Sequence, residues 1–530
     1  EIGYLTNAWT GKDQPIELHS ANYLPMNYWA IVYSKTAIVF DYLMAYLGED
    51  MYDECMRTYF KKWHYKHPQP KDLRAVFEDV SGKDLAWFFE DVIGTIKQLD
   101  YAIVNVKKET EDLLVTLENK GEIAGPITIS GIKDGQSMAP IWIEGFKGKK
   151  TIRYLNSDYD HIRIDYNGDM PETNRNNNIM RTKGIFRKCE PLKLQILGSM
   201  YHPEKTQIFF HPMMNYNIYN KHSVGLKIYN RFLPKGGFSY TLAPLYSNGT
   251  KDLTGEMNFA YTKYSQSSRF HKFTLSIDAK QYLYDYDKEY TRIMPQLNIE
   301  LQKSSLRSKK HKYISASYVY LDKQEHTLEF LKGKFVYSNK RTIDPYSLYT
   351  SVEQGEEFSK IHLGGELRKD LSQKKNLNIR GYFGYVNTIN EKYNLTMSAW
   401  NGSNDYMCSN RTFSRSENSA HSLPYQQQIF IREGGLKHFT NDSLNSNQWL
   451  SSLYVDYNVF EFVRSYAEAG TNGSDLAYGS GFSIPIFLGG TGLKGGLQLY
   501  LPLITEEGIV DFKDYKNVFR FNISFKIVTS

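Results

Sequence analysis

The sequence contains no apolar run near the ~20 residues that a membrane-spanning helix needs. Its closest candidate, Trp29 to Leu47, carries Lys35 and Asp41. With a mean hydropathy of −0.51, the chain does not read as a helical membrane protein. Cysteine is scarce: Cys55, Cys189 and Cys408 are far apart and odd in number, so they offer neither a disulfide framework nor a metal-binding spacing. Charge of one sign is not concentrated either. The formal net charge is +6, and short basic runs such as Lys309-Lys310-His311-Lys312 read as loop charges, which argues against a nucleic-acid partner. His-Glu-x-x-His, a Gly-rich phosphate loop, Gly-x-Ser-x-Gly and Cys-x-x-Cys are all missing. Tryptophan is rare as well (7), but tyrosine is abundant (42). A polar average rich in Tyr and Gly suits strands that alternate between lipid and a polar lumen, or a Tyr-rich soluble β-protein.

Residues 20 to 95 read as helical. Trp29, Val32, Tyr33, Thr36, Val39, Phe40, Leu43 and Leu47 recur at spacings of three and four, which predicts one buried stripe ending at Gly48. A second helix is expected from about Met51 to Trp63, before Pro68 and Pro70. A third starts near Lys71-Asp72, and Asp84 caps a short last one. From about Asp100 to Gly168 the period changes to two, in short segments such as Leu113 to Leu117 and His161 to Ile164 separated by turn residues. That pattern predicts a small β-sandwich. The polar stretch Asp169 to Asn178 reads as linker.

After Thr206 the alternation is long and persistent. Ile208, Phe210, Met214, Tyr216 and Ile218 share one face of a strand, while Gln207, His211, Asn215 and Asn217 take the other. The pattern recurs at Ile293 to Leu301, Ile361 to Leu367, Leu377 to Tyr385 and Phe519 to Ile527. Such segments suit tilted membrane-spanning strands, whereas strands of soluble proteins average only ~5 to 6 residues. Tyr229, Tyr246, Tyr264, Tyr282, Tyr320, Trp400 and Trp449 fall near strand ends, as an interfacial girdle requires. Only a closed barrel satisfies every backbone group of a sheet in lipid. About fourteen strands are expected, with 12 to 16 all compatible with the pattern, because the register is obscure between 325 and 360 and between 400 and 445. Asn401 to Gln428 is the exposed-loop candidate, either functional, mobile or plugging the lumen.

Few residues offer chemistry by themselves. His64-x-x-His67 stands at a helix end without a flanking acid and reads as a solvated pair. Glu54, Glu78 and Asp79 read as surface charges, and His211 and His362 as residues of strand polar faces. One ordered set of segments says more. Tyr33-Ser34-Lys35 and its apolar helix are followed by Gly48-Glu49-Asp50, Arg57-Thr58-Tyr59-Phe60, Pro70-Lys71-Asp72-Leu73 and Phe77-Glu78-Asp79-Val80-Ser81-Gly82. Over about residues 25 to 95 this resembles the C-terminal half of the catalytic domain of M1-family zinc aminopeptidases. Pro171-Glu172-Thr173-Asn174-Arg175-Asn176-Asn177-Asn178 resembles the end of the β-sandwich that follows it in that family. With a barrel appended, the arrangement is similar to barrel-bearing M1-like peptidases of Bacteroidota, and Gln428 to Gly435 resembles a segment of those barrels.

The resemblance implies a multidomain chain: residues 1–98 a helical remnant of the M1-like domain, 99–168 the β-sandwich, 169–205 a linker, and 206–530 a transmembrane antiparallel outer-membrane β-barrel. It also implies that Tyr33 is the catalytic tyrosine, whose phenol stabilises an oxyanion. Thr36 departs from the family's usual glycine. The zinc motif is expected upstream of Glu1, as is a signal peptide, so zinc is expected there and no residue of this chain is expected to bind it. Three functions follow. One is an outer-membrane zinc aminopeptidase, its N-terminal domains periplasmic, acting on peptides. Another is a non-catalytic subunit docking other outer-membrane proteins in a secretion, uptake or assembly complex. The last is a diffusion channel. Outer-membrane lipid or lipopolysaccharide is the partner common to all three.

Overall fold

The computed structural model describes every residue except 156–157, 189, 200, 203, 218, 267, 325, 400–405, 409–427, 430, 439, 441, 489–492, 512, 514–517 and 528–530. Cys189, Ile218, Trp400 and most of the Asn401 to Gln428 segment therefore lie outside the described residues. The chain divides into two compact units, one of residues 1–209 with 230–236 and one of residues 210–229 with 237–530.

In the N-terminal unit, helices Ile2–Trp9, Pro25–Leu47, Glu49–Trp63, Pro70–Ser81 and Trp87–Ile93 precede two sheets. Gly48 separates the second helix from the third at φ +84°, a conformation that a side chain would resist. The fourth helix starts with Pro70 and a capping box, Asp72 accepting from the Gln69 N–H at 2.7 Å. On composition alone Pro25–Leu47 is long and apolar enough to span a membrane, contrary to the reading of its sequence. Its Val39, Tyr42 and Leu43 are fully buried in a protein core, so its C-terminal half packs against the rest of the unit.

The expected sandwich is present. Tyr101–Lys108, Asp112–Asn119 and Lys149–Leu155 form a three-stranded sheet, and Ile127–Lys133 lies at the centre of a five-stranded one. Leu113, Val115 and Leu117 of the first sheet share a core with Ile127, Ile129, Ile162 and Ile164 of the second. Val39, Tyr42, Phe77 and Phe88 belong to that same core, so helices and sandwich pack as one body. The stretch expected to be a linker is largely structural. Ile179–Arg181 pairs with His161–Ile164, and Glu172, Thr173 and Asn178 are buried. Arg175 donates to Asp165 at 2.5 Å and to the Met170 carbonyl at 2.6 Å. The polar residues there are internal braces, which composition cannot tell from solvated loop.

Among the described residues the remainder of the chain is dominated by one sheet of eighteen strands, in which successive strands pair antiparallel, as Thr327–Asn339, Tyr346–Gly355 and Phe358–Asp370 do. Eighteen exceeds the expected fourteen, and sixteen of them have eight or more residues. The obscure region between 325 and 360 holds two long strands, Thr327–Asn339 and Tyr346–Gly355, before Phe358–Asp370, whose alternation from Ile361 was read. Alternation in the first is hidden because Leu328 and Phe330, on the polar face, are buried beside Phe358 and Tyr406.

The two faces of the sheet are inverted relative to a soluble protein. Val352 pairs with Ile361 and Thr350 with Leu363, and Val352, Ile361 and Leu363 are exposed. Between them Ser351 pairs with His362 and Glu353 with Lys360, all four buried. Exposed Leu275, Ile277, Phe335, Phe383, Leu453 and Phe482 continue the apolar face, and buried Arg292, Arg380, Asp456 and Glu468 the polar one. Tyr282, expected in the girdle, instead sits in the inner core with Tyr290 and Leu321. Tyr406, Met407 and Cys408, near the start of the exposed-loop candidate, are buried in that core as well.

Candidate functional site

Tyr33 lies on Tyr28–Lys35, a π-helical stretch inside Pro25–Leu47. The wider turn shifts the buried side to Ile31, Lys35 and Val39, so the predicted stripe holds only from Val39 onward. Trp29 and Tyr33, expected in the stripe, are exposed at 68% and 54%. Their rings stack with centroids 4.9 Å apart, and Tyr28 meets Tyr33 edge-on at 6.2 Å. Among the described residues the Tyr33 hydroxyl has no hydrogen-bond partner. It is a donor held in place by two aromatic neighbours and open to an incoming acceptor.

The turn is anchored from below. Lys35, 2% exposed, donates to Asp13 at 2.7 Å, and the Asp13 carboxylate is 1% exposed. Burial holds the Asp13 carboxyl above its usual range although the Lys35 ammonium pulls it down. The buried Tyr4 ring lies 5.5 Å from Nζ of Lys35. Next in the chain, Gln14 ties the start of the helix. Its Oε1 accepts from the Leu24 N–H at 2.9 Å and from Asn27 Nδ2 at 3.0 Å, while Asn27 also donates to the Lys12 carbonyl at 2.6 Å. Thr36 donates to the Ile31 carbonyl at 3.0 Å, a bond across the wide turn that glycine could not make. Of these residues only Tyr33, Lys35 and Thr36 were singled out from sequence. Asp13, Gln14 and Asn27 were missed because they lie at separations that no helical periodicity links.

No group of three or more His, Cys, Asp or Glu side chains converges among the described residues, so they do not supply a zinc ligand set. His64 stacks on Phe60 at 5.5 Å and is exposed. Glu78, expected as a free surface charge, pairs with Arg74 at 2.9 Å and accepts from the Leu85 N–H at 3.1 Å.

A second polar constellation occupies the inner face of the sheet. Glu433 accepts from Lys360 at 3.2 Å, from the Thr396 N–H at 2.6 Å and from the Thr396 hydroxyl at 2.9 Å. Arg380 donates to the Glu433 and Gly434 carbonyls at 2.7 and 3.0 Å. Gly435 has φ +72°, and a Cβ there would stand 2.7 Å from Nη1 of Arg380. Glu353 pairs with Lys332 at 2.6 Å and accepts from the Tyr406 hydroxyl. Glu468 meets Lys437 at 3.4 Å and His438 at 3.1 Å. Segments between strands are thus latched to inward-facing charges. Arg432 to Gly435 had been noted in sequence, but its wall partners Lys360 and Arg380 had not, because single charges on alternating strands carry no signal. His362, read as a polar-face residue, is buried on that face and bonded to the Tyr382 hydroxyl at 2.8 Å.

A family model described as the Peptidase family M1 domain matches residues 5–92. Among curated proteins, Aminopeptidase M1-C of Oryza sativa subsp. japonica is 34% identical over 99 residues, covering 18% of this chain and 11% of that protein. Aminopeptidase N of Lactococcus lactis subsp. lactis is 25% identical over 157 residues, 27% of this chain and 18% of that one. Aminopeptidase N of Streptomyces lividans is 29% identical over 133 residues, 24% and 13% respectively. The chain thus spans between 11% and 18% of the length of these relatives. Among solved structures, BamA from Haemophilus ducreyi lacking POTRA domains 1-3 covers 61% of this chain and 70% of its own, with a TM-score of 0.35 and 11% identity. The copper transporter OprC covers 68% and 64%, with a TM-score of 0.28 and 10% identity. Likeness at those scores carries no functional argument. The similarity to M1 aminopeptidases resides in the segment that holds Tyr33.

Proposed function

We propose that this chain is the tyrosine-bearing and membrane-anchoring part of an outer-membrane M1-type aminopeptidase. The carrying observation is Tyr33: a phenol on a braced π turn, exposed, stacked, and with its hydroxyl uncommitted among the described residues. In this reading it donates a hydrogen bond to the carbonyl oxygen of a bound peptide as negative charge develops there, and the bond strengthens in the transition state. Trp29 and Tyr28 fix the ring, and Lys35 with Asp13 fixes the turn. In this reading zinc is supplied by a ligand set other than the described residues, among which no such group converges.

The sheet is the anchor. Its exposed apolar face and buried charged face support closure into a barrel embedded in the outer membrane, because an open edge in lipid would leave backbone groups unpaired. An even strand count returns both barrel ends to the periplasmic side, and the N-terminal unit is assigned to that compartment. The segments latched across the inner face speak against an open diffusion channel.

A second reading is favoured by Thr36, which departs from the family's usual glycine and bonds across the wide turn: a non-catalytic M1-like module docking other outer-membrane proteins. The test is the intact mass and zinc content of the native polypeptide, followed by aminopeptidase assays of the wild type and Tyr33→Phe. The enzyme reading expects stoichiometric zinc and a fall in kcat of about 10² to 10³, typical for loss of one oxyanion donor, with zinc content unchanged. A native mass near 61.6 kDa without zinc or activity supports the docking reading instead.

A further inference from the structure

The N-terminal unit contains a cavity of about 320 Å³ that takes no part in the Tyr33 site. Its back wall is aromatic: Trp9 and Tyr201 meet edge-to-face at 5.1 Å. The Trp9 N–H is committed to the Thr173 carbonyl at 2.7 Å and the Tyr201 hydroxyl to Asn176, so both rings are fixed in place. The Lys235 ammonium stands between them, 4.8 Å from one ring centroid and 4.9 Å from the other. Among the described residues no carboxylate lies within ion-pair distance of it. Lys205 and Arg231 line the same cavity, and Arg231 donates to the Lys235 carbonyl, which shapes the loop that carries both. Glu190 is the one carboxylate in the lining, and it already accepts from the Thr206 hydroxyl at 3.0 Å. Three cations therefore face one committed anion. Burial, reinforced by Arg231's charge, lowers Lys235 to about 8.

We propose that this cavity binds a phosphate group, with Lys235 and Lys205 as its principal ligands. Asp100 and Glu190 act on this desolvated ammonium only from beyond ion-pair distance, and an arriving oxyanion supplies a direct contact. Phosphate suits three converging cations better than a carboxylate, since it offers more acceptor oxygens and up to two charges. The rim indicates what the phosphate is attached to. Phe209 and Phe232 meet at 6.3 Å, and Phe232 is 59% exposed, giving an apolar exit for an acyl chain. Lys205 directly precedes strand Thr206–Asn217, and Arg231 and Lys235 lie in the turn between Lys221–Tyr229 and Gly237–Ser247. Resting on the membrane reading above, those are headgroup-level positions, and a phospholipid is the source.

The experiment is carbon-13 reductive dimethylation of the full chain in uncharged detergent, with the Lys235 resonance assigned by its loss in Lys235→Arg. Inorganic phosphate, dihexanoyl phosphatidylglycerol and dihexanoylglycerol are then titrated in separately. The proposal expects the phosphatidylglycerol to shift the Lys235 resonance and raise its titration midpoint, and dihexanoylglycerol to do neither. Lys205→Gln, which leaves Lys235 in place, weakens binding about tenfold, the scale of one lost charge-assisted contact. Saturation by inorganic phosphate at the same concentration makes free phosphate the source and still supports the site. No response to either phosphate compound, or an equal response to dihexanoylglycerol, overturns the proposal. Insertion into vesicles is scored on the same preparation. Insertion without a phosphate response overturns the site alone, whereas a phosphate response without insertion supports the site and removes the membrane reading.

Discussion

Replacing Lys35 by Met leaves the buried Asp13 carboxylate without its counter-charge. Asp13 is 1% exposed, and its remaining described partner is the Gln14 N–H at 3.0 Å. Breaking a buried pair from one side costs about 3 to 5 kcal/mol, because the surviving ion must be neutralised or hydrated. Removing both charges is a different perturbation. Asp13→Asn with Lys35→Met keeps a side-chain carbonyl for the Gln14 N–H and leaves no ion behind, so it is expected to recover about 2 kcal/mol or more of the loss. Urea unfolding followed by tryptophan fluorescence is the assay. Trp9, Trp29, Trp63, Trp87 and Trp142 all belong to the N-terminal unit, so the signal reports chiefly on that unit. A loss below about 1 kcal/mol for Lys35→Met would place the pair among surface-like bridges and refute the reasoning. A double variant as unstable as the single one would refute it too, since the cost would then lie in packing around Lys35 and not in the stranded charge.

Three further outcomes are expected. Burial, with Asp100's charge adding to it, holds the Glu172 carboxyl well above its ordinary 4.5, so the folded unit binds that proton more tightly than the unfolded chain does. Its contribution is complete below pH 4.5 and is lost as pH rises toward the folded value; Glu172→Gln should flatten the fall in urea midpoint between pH 5 and pH 8. On the apolar face, Val352→Arg should cost about 2 to 4 kcal/mol of stability in a bilayer, while Ser351→Arg on the opposite face costs less; refolding yield into lipid vesicles distinguishes them. Glu433→Gln leaves Lys360 buried without its counter-charge, and the unfolding transition of the sheet, followed by heat-modified gel mobility, should drop by the equivalent of about 3 kcal/mol.

Strands were legible wherever one face met only polar neighbours. Phe270–Asp285 alternates apolar outward and polar inward through its middle, and its period can be read from residues alone. The count fell short where inner segments bury apolar side chains of the polar face, as at Leu328 and Phe330. There Leu328 and Phe330 alternate with Thr327 and Glu329 in the opposite phase to the exposed Leu331 and Phe335, so no single apolar alternation runs through the strand. The stretch from Pro171 to Asn178 failed for the opposite reason. Its Glu, Arg and Asn residues have the composition of a solvated connection, yet Glu172 caps the Tyr101 N–H at 3.1 Å and Arg175 holds Asp165. What separates a linker from an internal brace is a set of partners remote in sequence, and a single chain's composition contains no record of them.

Tyr33 is singled out by the resemblance, but its orientation was not legible in the sequence, and the orientation bears on the proposed function. An α-helical wheel turns Tyr33 into the core; the π turn places it outside and puts Lys35 inside. A buried ion pair is not a source of stability, since well-packed apolar side chains of the same volume do as well or better. The Lys35–Asp13 pair therefore needs an explanation in what it fixes, and what it fixes is the turn carrying Trp29 and Tyr33. A docking surface has use for the rings, which Phe would provide equally. An oxyanion donor needs the hydroxyl as well, unpaired and already in place before substrate arrives, since reorganising it during the reaction would consume the stabilisation it offers. The ring is stacked, the turn is braced and the hydroxyl is uncommitted among the described residues. That combination is what the donor reading requires, and the difference in kcat between the wild type and Tyr33→Phe tests it.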